Sequence, residues 1–550
     1  MAGVWYVTFD CHPDRYRHWS LTIDGDVATL TLDVDPQGGL SDEYELKLNS
    51  YDLAVDIELS DAVLRLRFEH PEVHTVVVTG GMEEVSAGDR RHHGAAGGGR
   101  AGVFCSGANI QMLAAATHHH KVNFCRFTNE TRLAIEDASQ LSGQVWLAAL
   151  NGTAAGGGYE LALACDEIVL VDDRASAVSL PELPLLGVLP GTGGLTRLVD
   201  KRGVRRDRAD FVCTRSEGIK GEQAVDWHLV DAAVPRSRFA DAVAERATAR
   251  AAVSDRPASG PGVTLTPLHR TISDDAIEYD HLHVRLDPDL GAATFNLAGP
   301  EGPQPSSADE ILAQGDGFWP LALCRELDDA VLHLRFNRPS LGTWVFRASG
   351  DASAVLAVDD LLGRHLDHWL VREIVLYWTR TLKRLDASAR SLIALVEPGT
   401  CYAGTLAELV LTADRSFMLE SSAASLTLAE ANTGWYPMAN GLTRLATRFW
   451  GQPGDQDLAE AHLRKELDPG TARDLGLVTF TPDDIDWDDE VRLALEERAS
   501  FSPDALTGLE ANLRFVGPET LETKIFGRLS AWQNWIFQRP NAVGEKGALS

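Results

Sequence analysis

The sequence predicts an α/β protein whose layered fold occurs twice in one chain of 550 residues. Three observations carry that expectation. Runs rich in apolar and β-branched residues, 73–80 (VHTVVVTG) and 145–150 (VWLAAL), read as strands. Such strands alternate with helical stretches as far as Leu170, the order that builds α/β layers. A block of the first half then returns 248 residues downstream, and a fixed internal offset marks duplication.

Residues 5–36 suggest an entry strand region, after which Asn49 or Ser50 caps a helix running to about His70. The strand 73–80 follows. Residues 86–102 are rich enough in glycine to read as a flexible insertion. In 104–110 (FCSGANI) a strand ends on the small pair Gly107 and Ala108 and leads into another helix. The strand 145–150 ends in a glycine-rich turn, and the apolar stretch 159–164 suits a buried helix with Glu160 in its first turn. Proline, glycine and serine accumulate at 252–267 and 299–307, which marks both as linkers. The expected plan is a catalytic domain over 1–255, a linker region over 256–310, and a second domain over 311–550 ending in a helical segment.

The chemistry concentrates in 151–166 (NGTAAGGGYELALACD) and 179–198 (SLPELPLLGVLPGTGGLTRL). Each places an acid, Glu160 or Glu182, after a turn in a largely apolar setting, and a carboxylate held there is costly unless it works or is paired. Glycines before the helix at 159 leave main-chain N–H groups able to approach a negatively charged ligand atom, which is half of an oxyanion hole. The turn at Gly107 and Ala108 supplies the other half. Losing one such donor typically slows catalysis roughly 100 to 1,000-fold. Blander roles stand beside these. Glu160 can complement its helix dipole, and Glu182, which follows Pro181, can be a solvated surface acid. Cys105 reads as packing in preference to a nucleophile, because no histidine neighbours it in sequence. Asn109 can contact substrate or cap the helix that follows it.

The order of a GAN turn, then GGGYELALACD, then PELPLLGVLPGTGGLTRL resembles the crotonase, or enoyl-CoA hydratase/isomerase, superfamily. That resemblance implies a core of spiralling ββα units. It also implies that the N–H groups of Ala108 and Gly157 hold a CoA thioester oxygen as it becomes enolate-like, with Glu160 and Glu182 as the catalytic acids. Gly156, Cys105 and Asn109 would then line the substrate. Segments 12–21, 47–58 and 121–132 resemble a ring-opening branch of the superfamily, a likeness that runs along almost the whole chain. What it implies is opening of 2,3-epoxybenzoyl-CoA with two waters to 3,4-dehydroadipyl-CoA semialdehyde and formate, in aerobic benzoate degradation. No cofactor is implied, since CoA is part of the substrate. Hydration or isomerisation of another acyl-CoA, or a non-catalytic CoA-binding scaffold, are the alternatives.

In the second half, 399–414 (GTCYAGTLAELVLTAD) matches the glycine turn and helix of the first, with Glu408 opposite Glu160 and Glu430 opposite Glu182. GLTRL recurs, and Arg444 stands opposite Arg197. Thr405 replaces the middle glycine, and 347–351 (RASGD) is only a distant candidate for the GAN turn. The expected reading is a degenerate crotonase-like domain that packs rather than catalyses. The tryptophan-rich C-terminal stretch 532–537 suits packing on a neighbouring subunit, so a homo-oligomer is expected.

A formal charge of −30 disfavours nucleic acid and anionic membranes as partners. CoA phosphates would therefore need a local basic patch. Lys201, Arg202, Arg205, Arg206 and Arg208 could provide one, or form a solvated helix face. Residues 191–194 (GTGG) match neither a P-loop nor a dinucleotide fingerprint. No apolar run approaches the roughly 20 residues of a membrane helix, and no signal pattern opens the chain, so a cytoplasmic protein is expected. The seven cysteines are scattered and lack CxxC spacing, which fits reduced thiols. His92, His93 and the run at 118–120 lack accompanying ligands, and no metal is expected.

Overall fold

A hairpin opens the first unit of the computed structural model, which describes residues 5–81 and 102–549 and divides into Met1–Leu265 and Thr266–Ser550. Strands β1 (Trp19–Asp24) and β2 (Val27–Leu32) pair antiparallel around Gly25, whose φ of 60° is left-handed. Helix α1 (Leu53–Phe68) is capped by Asp52, which accepts from the Ala54 N–H, rather than by Asn49 or Ser50. Asn49 is occupied elsewhere: its amide bonds Val34 N–H and the Leu32 and Phe104 carbonyls, tying loop to strand ends. The glycine-rich insertion, with His92 and His93, lies outside the described residues apart from Gly102.

The chain then runs through β3 (Thr75–Gly80), β4 (Val103–Cys105), α2 (Ile110–Ala115), α3 (His118–Ser142), β5 (Val145–Leu150), β6 (Thr153–Ala155), α4 (Gly157–Ala164), β7 (Glu167–Asp172), β8 (Val178–Ser179), α5 (Glu182–Leu186) and β9 (Ala232–Pro235). A large sheet takes the order β1-β2-β3-β5-β7-β9, and a small parallel sheet the order β4-β6-β8. Each turn of the chain therefore lays one strand in the large sheet, the next in the small sheet, and then a helix. This is the crotonase-like ββα spiral. Covered on both faces, β5 and β7 are nearly continuous apolar runs, with Trp146, Leu147, Leu150, Ile168 and Leu170 fully buried. The helix Arg236–Ala251 closes one side, Ala247 packing in a cluster with Val77, Leu147, Ala149 and Val169.

The expected linker of 256–310 is not one. Its first residues belong to the first unit, because the buried Arg256 guanidinium donates to the Leu66, Arg67 and His70 carbonyls at the end of α1, and Val263 N–H bonds Phe68 O at 2.7 Å. The carbonyls of Leu66, Arg67 and Phe68 are among those that a helix end leaves without intrahelical partners. Its remainder builds the second unit's sheet with β10 (Thr271–Ile272), β11 (Ala276–Glu278), β12 (Leu282–Asp287) and β13 (Ala292–Ala298). Alternating burial in β12 shows why: Leu282, Val284 and Leu286 point inward between exposed partners.

In the second unit, β13 is followed by the helix Trp319–Asn337, β14 (Thr343–Ser349), the helices Ala352–Arg364 and Trp369–Ala387, β15 (Ser391–Val396), the helix Gly404–Thr412 and β16 (Arg415–Met418). Strands β13 to β16 are parallel neighbours, and β12 and β13 form an antiparallel pair. An isolated bridge between Ala403 and Thr427 stands where the first unit has paired strands of its small sheet.

Candidate active site

Parallel strands bring their carboxyl ends to one edge, so the turns after β4, β6 and β8 adjoin. The first carries Gly107 and Ala108, the second Gly156 and Gly157, and the third Glu182. Gly107 (φ 89°) and Gly156 (φ 53°) both sit in the left-handed region open to glycine. A β-carbon on Gly107 would lie 2.8 Å from Ala155 O and 2.9 Å from Gly157 N, so the first two turns touch. The flanking amides are spent: Asn109 N–H bonds Tyr51 O at 2.8 Å, and Gly156 N–H bonds Ser179 O at 2.9 Å. The N–H groups of Ala108 and Gly157 have no partner among the described residues. Gly158 is needed for packing, since a β-carbon there would lie 2.6 Å from Cys105 O.

The acids flank this pair of donors. Glu160, in the first turn of α4, is 2% exposed; its Oε1 accepts from Gly194 N–H at 2.8 Å and its Oε2 from the Thr192 hydroxyl. Burial raises its pKa, while those donors and the Arg132 charge pull the other way. Glu182 opens α5 and is 9% exposed, with Oε1 2.7 Å from where a Gly156 β-carbon would be. Its Oε2 is buried without a partner among the described residues. Burial first, and the charge of Glu160 second, push Glu182 up to about 7. Two coupled carboxylates at a glycine turn, one titrating near neutrality, are equipped for acid and base work.

Asn109 and Cys105 are engaged by protein partners. Asn109 Oδ1 caps α2 through Met112 N–H at 2.9 Å, and its Nδ2 donates to Glu45 O and Ser50 Oγ, which uses both of its donors. The Cys105 thiol donates to Asn49 O at 2.9 Å, and burial pushes it up to about 12, so it packs as a neutral group. Four of the five basic residues have partners: Lys201 pairs with Glu136, Arg202 with Asp231 and Arg205 with Asp207, while Arg208 bonds Asp226 O and covers Trp227; Arg206 is exposed. Among the described residues no group of three or more His, Cys, Asp or Glu side chains is placed to hold a metal.

Sequence reasoning missed several groups. GTGG proves to orient Glu160 through Thr192 and Gly194. Its failure to match any phosphate motif was the available signal that it serves something else. Cys125, on α3, has a thiol pushed up to about 11 by burial and then by Glu160. Tyr51 lies within 47–58, where nothing local in the sequence shows where an aromatic side chain lands.

The equivalent positions of the second unit are arranged differently. Arg197 bonds Glu136 on α3 and Thr192 O, and Arg444 likewise bonds Asp386 on the helix Trp369–Ala387 and Tyr436 O. Arg444, however, also reaches Glu408 at 3.0 Å, and Asn432 donates to the same carboxylate. Thr405, opposite Gly157, gives its N–H to the buried Asp359 carboxylate at 2.8 Å. Asp359 thus holds the amide that would correspond to an oxyanion donor. Glu430 is exposed and pairs with Arg464.

The enoyl-CoA hydratase/isomerase family model matches residues 89–258. A benzoyl-CoA-dihydrodiol lyase from Aromatoleum evansii is 55% identical over 545 residues, covering 99% of this chain and 95% of that protein. The fatty acid oxidation complex subunit alpha of Idiomarina loihiensis is 35% identical over 159 residues, 29% of this chain and 22% of that one. A solved enoyl-CoA hydratase from Bacillus anthracis is 26% identical, covers 42% of this chain and 76% of that chain, and superposes with a TM-score of 0.34. Likeness along nearly the whole length of both partners, and not the shared hydratase segment alone, decides the assignment: the chain belongs to the benzoyl-CoA-dihydrodiol lyase family, lyases of the crotonase superfamily.

Proposed function

We propose that this protein opens the ring of 2,3-epoxybenzoyl-CoA with two waters, giving 3,4-dehydroadipyl-CoA semialdehyde and formate. The observation that carries the reading is the contact of the Gly107 and Gly157 turns between two buried carboxylates. Breaking the bond between the ring carbon that bears the thioester and its neighbour leaves an electron pair alpha to the thioester carbonyl. That is an enolate, and the Ala108 and Gly157 N–H groups are suited to its oxygen. Water must add to the departing carbon, and a carboxylate with an uncommitted oxygen can take its proton. Glu182 Oε2 has that capacity, whereas both oxygens of Glu160 already accept hydrogen bonds. Glu160 would return the proton to the carbon chain. Water is the co-substrate and no cofactor is called for.

Three further readings accompany this one. The second unit is a degenerate copy of the first, supported by the like strand order and the like bonds of Arg197 and Arg444. The protein is a homo-oligomer, supported by exposed Leu513, Leu521 and Phe526 on its C-terminal helices. It works in the cytoplasm, in keeping with seven free cysteines. Incubating the protein with 2,3-epoxybenzoyl-CoA should release formate at a rate far above crotonyl-CoA hydration. Hydration without formate would assign it instead to ordinary enoyl-CoA chemistry.

A further inference from the structure

Tyr51 joins the two turns of the site. Its main chain runs beside the first: Tyr51 N–H bonds Gly107 O at 3.0 Å and Asn109 N–H bonds Tyr51 O at 2.8 Å, which sets Tyr51 directly opposite Ala108. Its side chain crosses to the second. A β-carbon on Gly157 would overlap the Tyr51 hydroxyl and lie 2.7 Å from Cζ, so the phenol rests on the α-carbon next to the Gly157 amide. Tyr51 is 3% exposed, and its hydroxyl is buried with no hydrogen-bond partner among the described residues.

The ring is held from behind. Phe124 packs at 5.9 Å between centroids, and the Arg132 guanidinium lies 5.5 Å from the ring centre, itself tied to Asp56 at 2.8 Å. Burial raises the phenol far above its ordinary range, with the charges of Asp56 and Glu160 adding to it and that of Arg132 opposing, so the hydroxyl keeps its proton. A buried hydroxyl without a partner costs free energy that phenylalanine, of nearly the same shape, would avoid. The ligand that satisfies it must reach the Gly157 amide.

Resting on the thioester reading above, we propose that the Tyr51 hydroxyl is a third donor of the oxyanion hole, hydrogen-bonding the thioester oxygen beside the Ala108 and Gly157 amides. It donates without transferring its proton. Its strongest bond is made to the enolate, where the oxygen carries most charge.

The test uses Tyr51→Phe in the full chain, with benzoyl-CoA labelled with carbon-13 at the thioester carbonyl as an infrared probe that carries no ring oxygen. In the unaltered protein the bound carbonyl stretch should fall below its value in water. Tyr51→Phe should return it part of the way and lower kcat for formate release roughly 10 to 100-fold with little change in KM. Its melting temperature should be unchanged or higher. Should the phenylalanine variant misfold, 3-fluorotyrosine at position 51, a stronger donor of like shape, should lower the stretch further. An identical stretch in the unaltered and variant proteins, with formate still released, would overturn the role of Tyr51 alone. No carbonyl shift and no formate from the unaltered protein would overturn the thioester reading with it.

Discussion

Glu182 is the residue on which pH should act most directly. Burial and the neighbouring Glu160 hold it at about 7 in the folded chain, against an ordinary value of 4.5. A carboxyl raised in this way binds its proton more tightly folded than unfolded, so its contribution to stability is present below pH 4.5 and is lost as pH rises through about 7. Glu182→Gln should remove that loss. Above pH 7 the variant should melt later than the parent, by on the order of 1 to 3 kcal/mol, and near pH 4.5 the two should converge. Activity should move oppositely. Formate release should rise with an apparent pKa near 7 in the parent, and the glutamine variant should lose about 100-fold or more in kcat together with that inflection. Melting curves and rate profiles across pH 4 to 9 check both, and a variant that kept the inflection would exclude Glu182 as its source.

At the scale of single elements, the helices Gly157–Ala164 and Gly404–Thr412 show how one pattern serves two ends. Both follow a parallel strand, both have a positive-φ glycine at their start (Gly156 as the cap of the first, Gly404 as the first residue of the second), and both bury a glutamate. Their glutamates differ in company. Glu160 accepts from a hydroxyl and an amide, whereas Glu408 is paired with Arg444 at 3.0 Å in a buried cluster with Asp386. Removing one partner of a buried pair leaves an uncompensated charge, so Glu408→Gln should cost about 3 to 5 kcal/mol of stability. The folded fraction should retain its kcat. Glu160→Gln should do the reverse, and chemical denaturation alongside formate assays separates the two. The elements themselves were legible: the strand at 145–150 and the helix after it stand where periodicity places them. The cap of α1 was not, because Asn49 and Asp52 are equally good capping residues and only the loop packing of Asn49 decides between them.

For the whole molecule, the boundary between units was misread for a reason of composition. Residues 256–265 are rich in proline and glycine, yet Arg256 and Val263 bind them to the carbonyls at the end of α1. Polar, turn-forming sequence does not distinguish a free linker from a strap whose hydrogen bonds are made at long range. The C-terminal helices raise the opposite case. Pro503–Leu513 and Ser530–Ile536 pack on each other, while Leu521 and Phe526 between them are 78% and 74% exposed. If a second copy covers them, Leu521→Glu with Phe526→Glu should lower the mass measured by light scattering to that of one 59.7 kDa chain. A parent protein already of that mass would exclude the oligomer.

By itself the sequence determined the layered α/β class, the order of the site motifs and the two carboxylates, because each is written in residues close together along the chain. Tertiary structure alone decided which acids stay uncommitted, which turns touch and what Tyr51 faces. Those outcomes depend on groups many residues apart, and the physical difference is stark at two arginines in identical GLTRL segments: Arg444 neutralises a buried glutamate, and Arg197 leaves its counterpart to the site.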